Sequence, residues 1–205
     1  MIENNNQQNK LSGLINLKMI KKHFSTILFV IVISALIFSP DAKSFLIKQL
    51  MFTGLFDAKI SSVNSEDNTI RNHFDFKDYN GNNRSTADLK GKVIFINFWA
   101  SWCPPCIAEF PSIEKFYSEY KSNDNIVFLM INMDDEIEVG KQFLDKKKYS
   151  LPIFQAISKI PNEIYSGALP TTVIVDKKGI IRMHHEGFAD YGGEKFHLQI
   201  KQLLE

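Results

Sequence analysis

Cysteine is nearly absent: the 205-residue chain holds two, at positions 103 and 106. That scarcity excludes a disulfide-stapled miniprotein and any zinc site built from four cysteines of one chain. Neither sign of charge dominates, since 24 Lys and Arg face 23 Asp and Glu for a net charge of +1. A nucleic-acid binder working by bulk charge is thereby excluded, as is an acidic disordered chain. Glycine is sparse at ten residues and tryptophan at two, which rules out collagen-like and low-complexity chains. Internal repeats are lacking too. Phenylalanine is plentiful, with seventeen residues inside a 44% hydrophobic fraction. That content suits the core of one ordinary domain plus an appendage.

The appendage lies at the N-terminus. Residues 1–23 form a polar, then basic leader with Lys10, Lys18, Lys21 and Lys22. Phe24 to Phe38 (FSTILFVIVISALIF) carries no charge and stops at Ser39-Pro40-Asp41. As a helix it would reach about 22 Å, short of a hydrocarbon core of about 30 Å unless Met19 and Ile20 extend it. Two readings fit. A cleavable signal peptide would use Ala42 and Ser44 and cut before Phe45; an uncleaved single-pass transmembrane anchor over 24–38 would keep the leader. Pro40 disfavours the cut, so the anchor is the expectation, and no cysteine lies near enough for lipid attachment. The lysine bias puts the leader in the cytoplasm and the rest of the chain, beyond the inner membrane, in the periplasm or outside. Residues 39–72 then read as a juxtamembrane segment and linker, and 73–205 as the folded domain.

Within 73–205 the pattern alternates between periods of two and 3.6. His73 to Phe76 and a return segment flank Asn80-Gly81, a hairpin signal. Val93 to Trp99 (VIFINFW) and Ile126 to Asn132 (IVFLMIN) are apolar enough for strands buried on both faces. Pro105 opens a helix in which Ile107, Phe110, Ile113, Phe116 and Tyr117 share a face. Helices are expected at Glu138 to Lys147 and Glu194 to Leu204, a short extended piece at Leu151 to Ala156, and a hairpin joining Thr171–Val175 to Ile180–His184. This order predicts an α/β fold with a central mixed sheet flanked by helices.

Trp102-Cys103-Pro104-Pro105-Cys106 falls where a buried strand ends and a helix begins. Free N–H groups and the helix dipole favour a thiolate there. Cys103, ahead of the first turn, is expected to be exposed and to attack a partner disulfide; Cys106, one turn in, is expected to resolve the mixed disulfide. A structural bridge across so small a loop would remove little chain entropy. A metal site would need further ligands, and His184 and His185, adjacent on a strand, point to opposite faces. No metal and no cofactor is expected. Prolines at 104 and 105 have no N–H, so the turn offers fewer donors to Cys103 than an ordinary CxxC, which predicts a reducing dithiol. Trp99 is expected in the core.

NFWASWCPPC, the following IAEFP and the later LPTTVIVDKKG resemble the thioredoxin-like proteins of the TlpA and ResA kind, membrane-tethered thiol-disulfide oxidoreductases. The resemblance spans about residues 73–204. It implies a thioredoxin-like fold with an N-terminal β-hairpin and an inserted strand–helix element, which would account for Asp134 to Gly167. It implies that Pro170 is a cis-proline facing the cysteines, that Leu169 pairs with substrate backbone, and that Trp102 shapes the docking surface. Glu109, one turn past Cys106, matches a carboxylate that could pass protons to that sulfur. Asn97 stands where thioredoxin itself has a buried aspartate, and it cannot titrate. The implied activity is reduction of disulfides in exported proteins, cytochrome c maturation being one setting, with electrons from a membrane electron donor. A peroxiredoxin-like peroxidase and a disulfide-forming oxidase are the alternatives. The Pro-x-x-x-Thr/Ser-x-x-Cys spacing of a peroxidatic cysteine fits neither Cys103 nor Cys106.

Overall fold

The computed structural model describes residues 23–34, 39, 42–44, 58, 60 and 73–205. Two compact units divide the chain, Met1–Ala42 and Lys43–Glu205.

In the first unit, residues 23–34 are helical and exposed along their whole length. This corrects the expectation of a membrane span over 24–38. Among the described residues no helix is long and apolar enough to cross a membrane. Residues 23–34 reach only about 18 Å at 1.5 Å per residue, against about 30 Å of hydrocarbon. The placement of the chain in the inner membrane, catalytic side outward, rested on that span and falls with it. Residues 35–38, and Met19 and Ile20 that would have lengthened the run, lie outside the described residues.

In the second unit, β1 (Asp75–Asp78) and β2 (Asn83–Ser85) form the expected hairpin, with Gly81 at φ 83° in its turn. A left-handed φ of that kind is one glycine adopts without a steric penalty. A 3₁₀ turn (Thr86–Leu89), capped by Ser85 and Asp88, leads to β3 (Val93–Trp99). Then follow α1 (Pro104–Tyr120), β4 (Ile126–Asn132), α2 (Ile137–Lys147), β5 (Phe154–Ala156), β6 (Thr171–Val175), β7 (Ile181–Glu186) and α3 (Glu194–Leu204). The seven strands form one mixed sheet in the order β2-β1-β5-β4-β3-β6-β7. β3 pairs parallel with β4 and antiparallel with β6. The segment beyond Asp134 supplies α2 and β5, and β5 links β4 to the hairpin.

β3 is central and its side chains alternate. Val93, Phe95 and Trp99 enter one core cluster with Phe110, Ile113 and Phe116 of α1 and Phe196 and Ile200 of α3. Ile94, Ile96 and Phe98 enter another with Phe74, Phe76, Leu129 and Val173. That is why the run reads as continuously apolar: each face of the sheet has its own core. Asn97 has the parity of Phe95 and Trp99, so it looks toward α1. Phe116 gathers Phe95, Phe128, Tyr120 and Phe196 with ring centroids 5.0–5.4 Å apart, tilted and edge-on geometries that favour aromatic pairs.

Two earlier residues join this unit. Ala58 is buried and its N–H donates to the Asp190 carbonyl at 3.0 Å. Gln199 on α3 holds the backbone of Ile60 at both its N–H (3.1 Å) and its carbonyl (2.8 Å).

Candidate active site

β3 ends at Trp99, and a tight turn closed by the Cys103 N–H on the Ala100 carbonyl (3.2 Å) delivers the chain to α1. Cys103 caps the helix from an extended backbone, with Pro104 and Pro105 in the first two helical positions. The Cys106 N–H donates to Cys103 Sγ at 3.3 Å. Because neither proline has an N–H, the first turn gives that sulfur this single backbone donor. Cys103 and Cys106 are joined in a disulfide, S–S 2.10 Å. Ser44 donates its hydroxyl to the Pro104 carbonyl at 2.9 Å.

One expectation is corrected here. Cys103 is 3% exposed, not open to solvent, and Cys106 is fully buried. In the disulfide the Cys103 sulfur turns inward, toward the Cys106 N–H. The exposed group is its neighbour Trp102, at 62%. Trp99 is in the core, as expected.

Glu109 is fully buried, so it is not a solvated helix residue. α1 carries it one turn past Cys106 and faces it to β3. Asn97 Nδ2 donates to its Oε1 at 2.7 Å, and the Ala189 N–H to its Oε2 at 3.3 Å. Burial pushes its carboxyl up to about 8, against the pull of those two donors; desolvation penalises the charged form and here outweighs the hydrogen bonds. Glu109 therefore holds a proton at neutral pH that it can release slightly above. Asn97 Nδ2 also donates to Thr172 Oγ1 at 2.9 Å, across the register in which β3 faces β6. Beside them is Tyr191, whose phenol is raised well above its ordinary value by burial first and by the Glu109 charge second. Its N–H donates to Ser112 Oγ at 3.2 Å, and Ser112 donates to the Glu109 carbonyl at 2.7 Å. The loop before α3 is thus stitched to the helix that carries the cysteines.

The Leu169–Pro170 peptide is cis. Pro170 is buried, and Leu169 packs against both core clusters. Thr171 Oγ1 donates to the Ala168 carbonyl (2.8 Å), and the Gly187 N–H to the Pro170 carbonyl (2.9 Å), which fix this loop from both sides. Among the described residues no group of three His, Cys, Asp or Glu could hold a metal ion.

Sequence reading passed over Thr172, Ala189, Tyr191 and Asp134. Ala189 acts through its backbone and leaves no side-chain signal. Asp134 did leave one: with Asn132 it closes a buried apolar run, and the parallel pairing of β4 with β3 sets that end of the run beside Trp99, where the chain turns to the cysteines. His197 is buried between the Tyr191 carbonyl (3.0 Å) and Glu119 (2.9 Å).

Comparison with known proteins agrees with this geometry. The AhpC/TSA family model matches residues 69–184. The chain is 33% identical over 133 residues to the thiol-disulfide oxidoreductase ResA of Halalkalibacterium halodurans, covering 63% of this chain and 74% of that protein. It is 35% identical over 117 residues to the thioredoxin-like protein YneN of Bacillus subtilis, covering 56% and 68%. Among solved structures, StoA of Bacillus subtilis superposes with a TM-score of 0.50 at 26% identity, covering 67% of this chain and 99% of that one. A disulfide at the junction of a buried strand and a helix and these similarities together assign the chain to the AhpC/TSA family, among its ResA-like thiol-disulfide oxidoreductases.

Proposed function

We propose that this thiol-disulfide oxidoreductase works as a reductant of protein disulfides. The Cys103 thiolate attacks one sulfur of a client disulfide, forming a mixed disulfide and releasing a client thiolate. Cys106 loses its proton, attacks Cys103 Sγ, and releases the second client thiolate as the Cys103–Cys106 disulfide closes. Two electrons pass to the client, and a donor dithiol protein returns them. Glu109 is the group through which the Cys106 proton passes: its carboxylate form takes the thiol proton up and its protonated form returns one. It is buried one turn away with its carboxyl raised to about 8, near the working pH a proton carrier needs. Trp102 and the part-exposed Leu169 form the surface where the client lies, and Pro170, itself buried, sets the loop that presents Leu169. An apocytochrome c disulfide is one client of the right chemistry.

The direction rests on one observation, the single N–H donated to Cys103 Sγ in the first turn of α1. Fewer donors leave the thiolate less stabilised, the reduced form higher in energy and the pair more reducing. Strong oxidants lie near −120 mV because their thiolate is well stabilised, and thioredoxin lies near −270 mV. Equilibration of the protein against glutathione buffers should give a potential on the reducing side of about −200 mV. A value near −120 mV would make the protein an oxidase instead.

A further inference from the structure

The turn Ala100 to Cys103 presents both the nucleophile and the exposed Trp102, yet it belongs to neither β3 nor α1. Its backbone is closed by the Cys103 N–H on the Ala100 carbonyl. The side chain that grips it from outside is Asp134, just beyond the end of β4. Asp134 Oδ1 accepts from the Ser101 hydroxyl at 2.9 Å and Oδ2 from the Ser101 N–H at 3.1 Å. Asn132 Nδ2 donates to Oδ2 at 2.7 Å and steadies the carboxylate from behind. Asp134 is 6% exposed, and no cation pairs with it among the described residues. Among the described residues its carboxylate is held by these donors. A buried carboxylate satisfied entirely by one loop and one supporting amide has its geometry tightly defined.

Gly140 completes the support. α2 passes so close to Asn132 that a Cβ at position 140 would stand 2.5 Å from Asn132 Nδ2. The glycine leaves room for the amide that braces Asp134.

We propose that Asp134 is a positioning residue for thiol-disulfide exchange, holding Ser101 so that Cys103 and Trp102 are set for attack when the disulfide is open. In the oxidised protein the bond to Cys106 also pins Cys103. On reduction that pin is lost, and among the described residues the grip on Ser101, two residues upstream, stays as a side-chain hold on the turn. The charge has a second effect. A carboxylate bonded to Ser101, two residues before the nucleophile, disfavours a thiolate at Cys103, so it acts in the same sense as the missing proline donors. Charged and titratable groups on the neighbouring elements, Glu109 on α1 and Tyr191 before α3, are left unchanged by substitution at 101 or 134.

The test compares Asp134→Asn and Ser101→Ala in the full chain by two readouts. One is the rate at which the reduced protein attacks glutathione disulfide, taken at high pH where the rate no longer rises. The other is the pH midpoint for alkylation of Cys103 by iodoacetamide. Small misplacements of a reacting group cost up to about a hundredfold in rate. Asp134→Asn should lower the high-pH rate about tenfold, because an amide nitrogen replaces one acceptor, and should move the alkylation midpoint down, because a charge is gone. Ser101→Ala keeps the charge and one hydrogen bond, so its rate should fall about threefold with the midpoint unmoved. A purely structural Asp134 would change melting temperature and neither readout. Wild-type rates in both variants, or in Ser101→Ala alone if Asp134→Asn fails to fold, overturn the proposal.

Discussion

Replacing Glu109 by glutamine tests the buried carboxyl through the stability of the fold, independently of any client. The folded protein holds this proton up to about pH 8, whereas a carboxyl of this type ordinarily releases it at 4.5. Between those values the native state binds more protons than the unfolded one, so stability falls as pH rises. The contribution is complete below 4.5 and lost as pH passes through the folded value. At 1.36 kcal/mol per unit, a rise of this size is worth about 5 kcal/mol in all, and about 4 kcal/mol of it disappears between pH 5 and pH 9. Glutamine does not titrate, so Glu109→Gln should lack this decline. Its NH₂ meets the Asn97 and Ala189 donors less well, so its stability at pH 5 should be lower than wild type; the slope carries the test. Urea unfolding of both oxidised proteins from pH 5 to pH 9 measures it, with all other titrating groups common to the pair. The two curves should converge by several kcal/mol as pH rises. Parallel curves would refute the reasoning, since a carboxyl that ionises at its ordinary pH cannot be the proton store placed beside Cys106.

Two further outcomes are expected. Trp102→Ala should leave the unfolding free energy within about 0.5 kcal/mol of wild type, because the side chain is 62% exposed, while raising KM for a protein disulfide about tenfold or more, as loss of an interfacial tryptophan does; an unchanged KM would remove Trp102 from the docking surface. Gly140→Ala reverses the usual helix preference. Alanine normally gains about 1 kcal/mol over glycine inside a helix, but here the methyl would displace an Asn132 amide bonded to Asp134, so a loss of about 1–3 kcal/mol is expected, and a higher melting temperature would contradict the close approach.

Much of the architecture was legible because the informative segments are strongly periodic. β3, β4 and β6 lie on the apolar runs that suggested them, and α3 keeps its boundaries at Glu194 and Leu204. The cysteine junction was readable from spacing and placement. What failed has physical causes. Cys103 looked exposed because a residue ahead of a helix usually is; the disulfide turned its sulfur into the core. A membrane span was read from composition, whereas the helix described there covers only residues 23–34. Glu109 sits where a glutamate could equally complement the helix dipole in water; its burial depends on β3, β6 and the 189–191 loop, elements distant in sequence. Asp134 needed knowledge of which strand lies beside β3.

The alternation along β3 has an evolutionary corollary. Inserting or deleting one residue within Val93–Trp99 would exchange the two faces of the strand from that point on. Phe95 and Trp99 would swing toward the β-hairpin side, Ile96 and Phe98 toward α1, and the Asn97 amide would leave the Glu109 carboxyl it now touches at 2.7 Å. Either core could in principle be repacked with other apolar side chains, but no repacking restores an amide to the α1 side. Length changes in this lineage should therefore gather in the turns around Gly81 and between α2 and β6. Across the seven positions of β3, substitution is the only change open to descent.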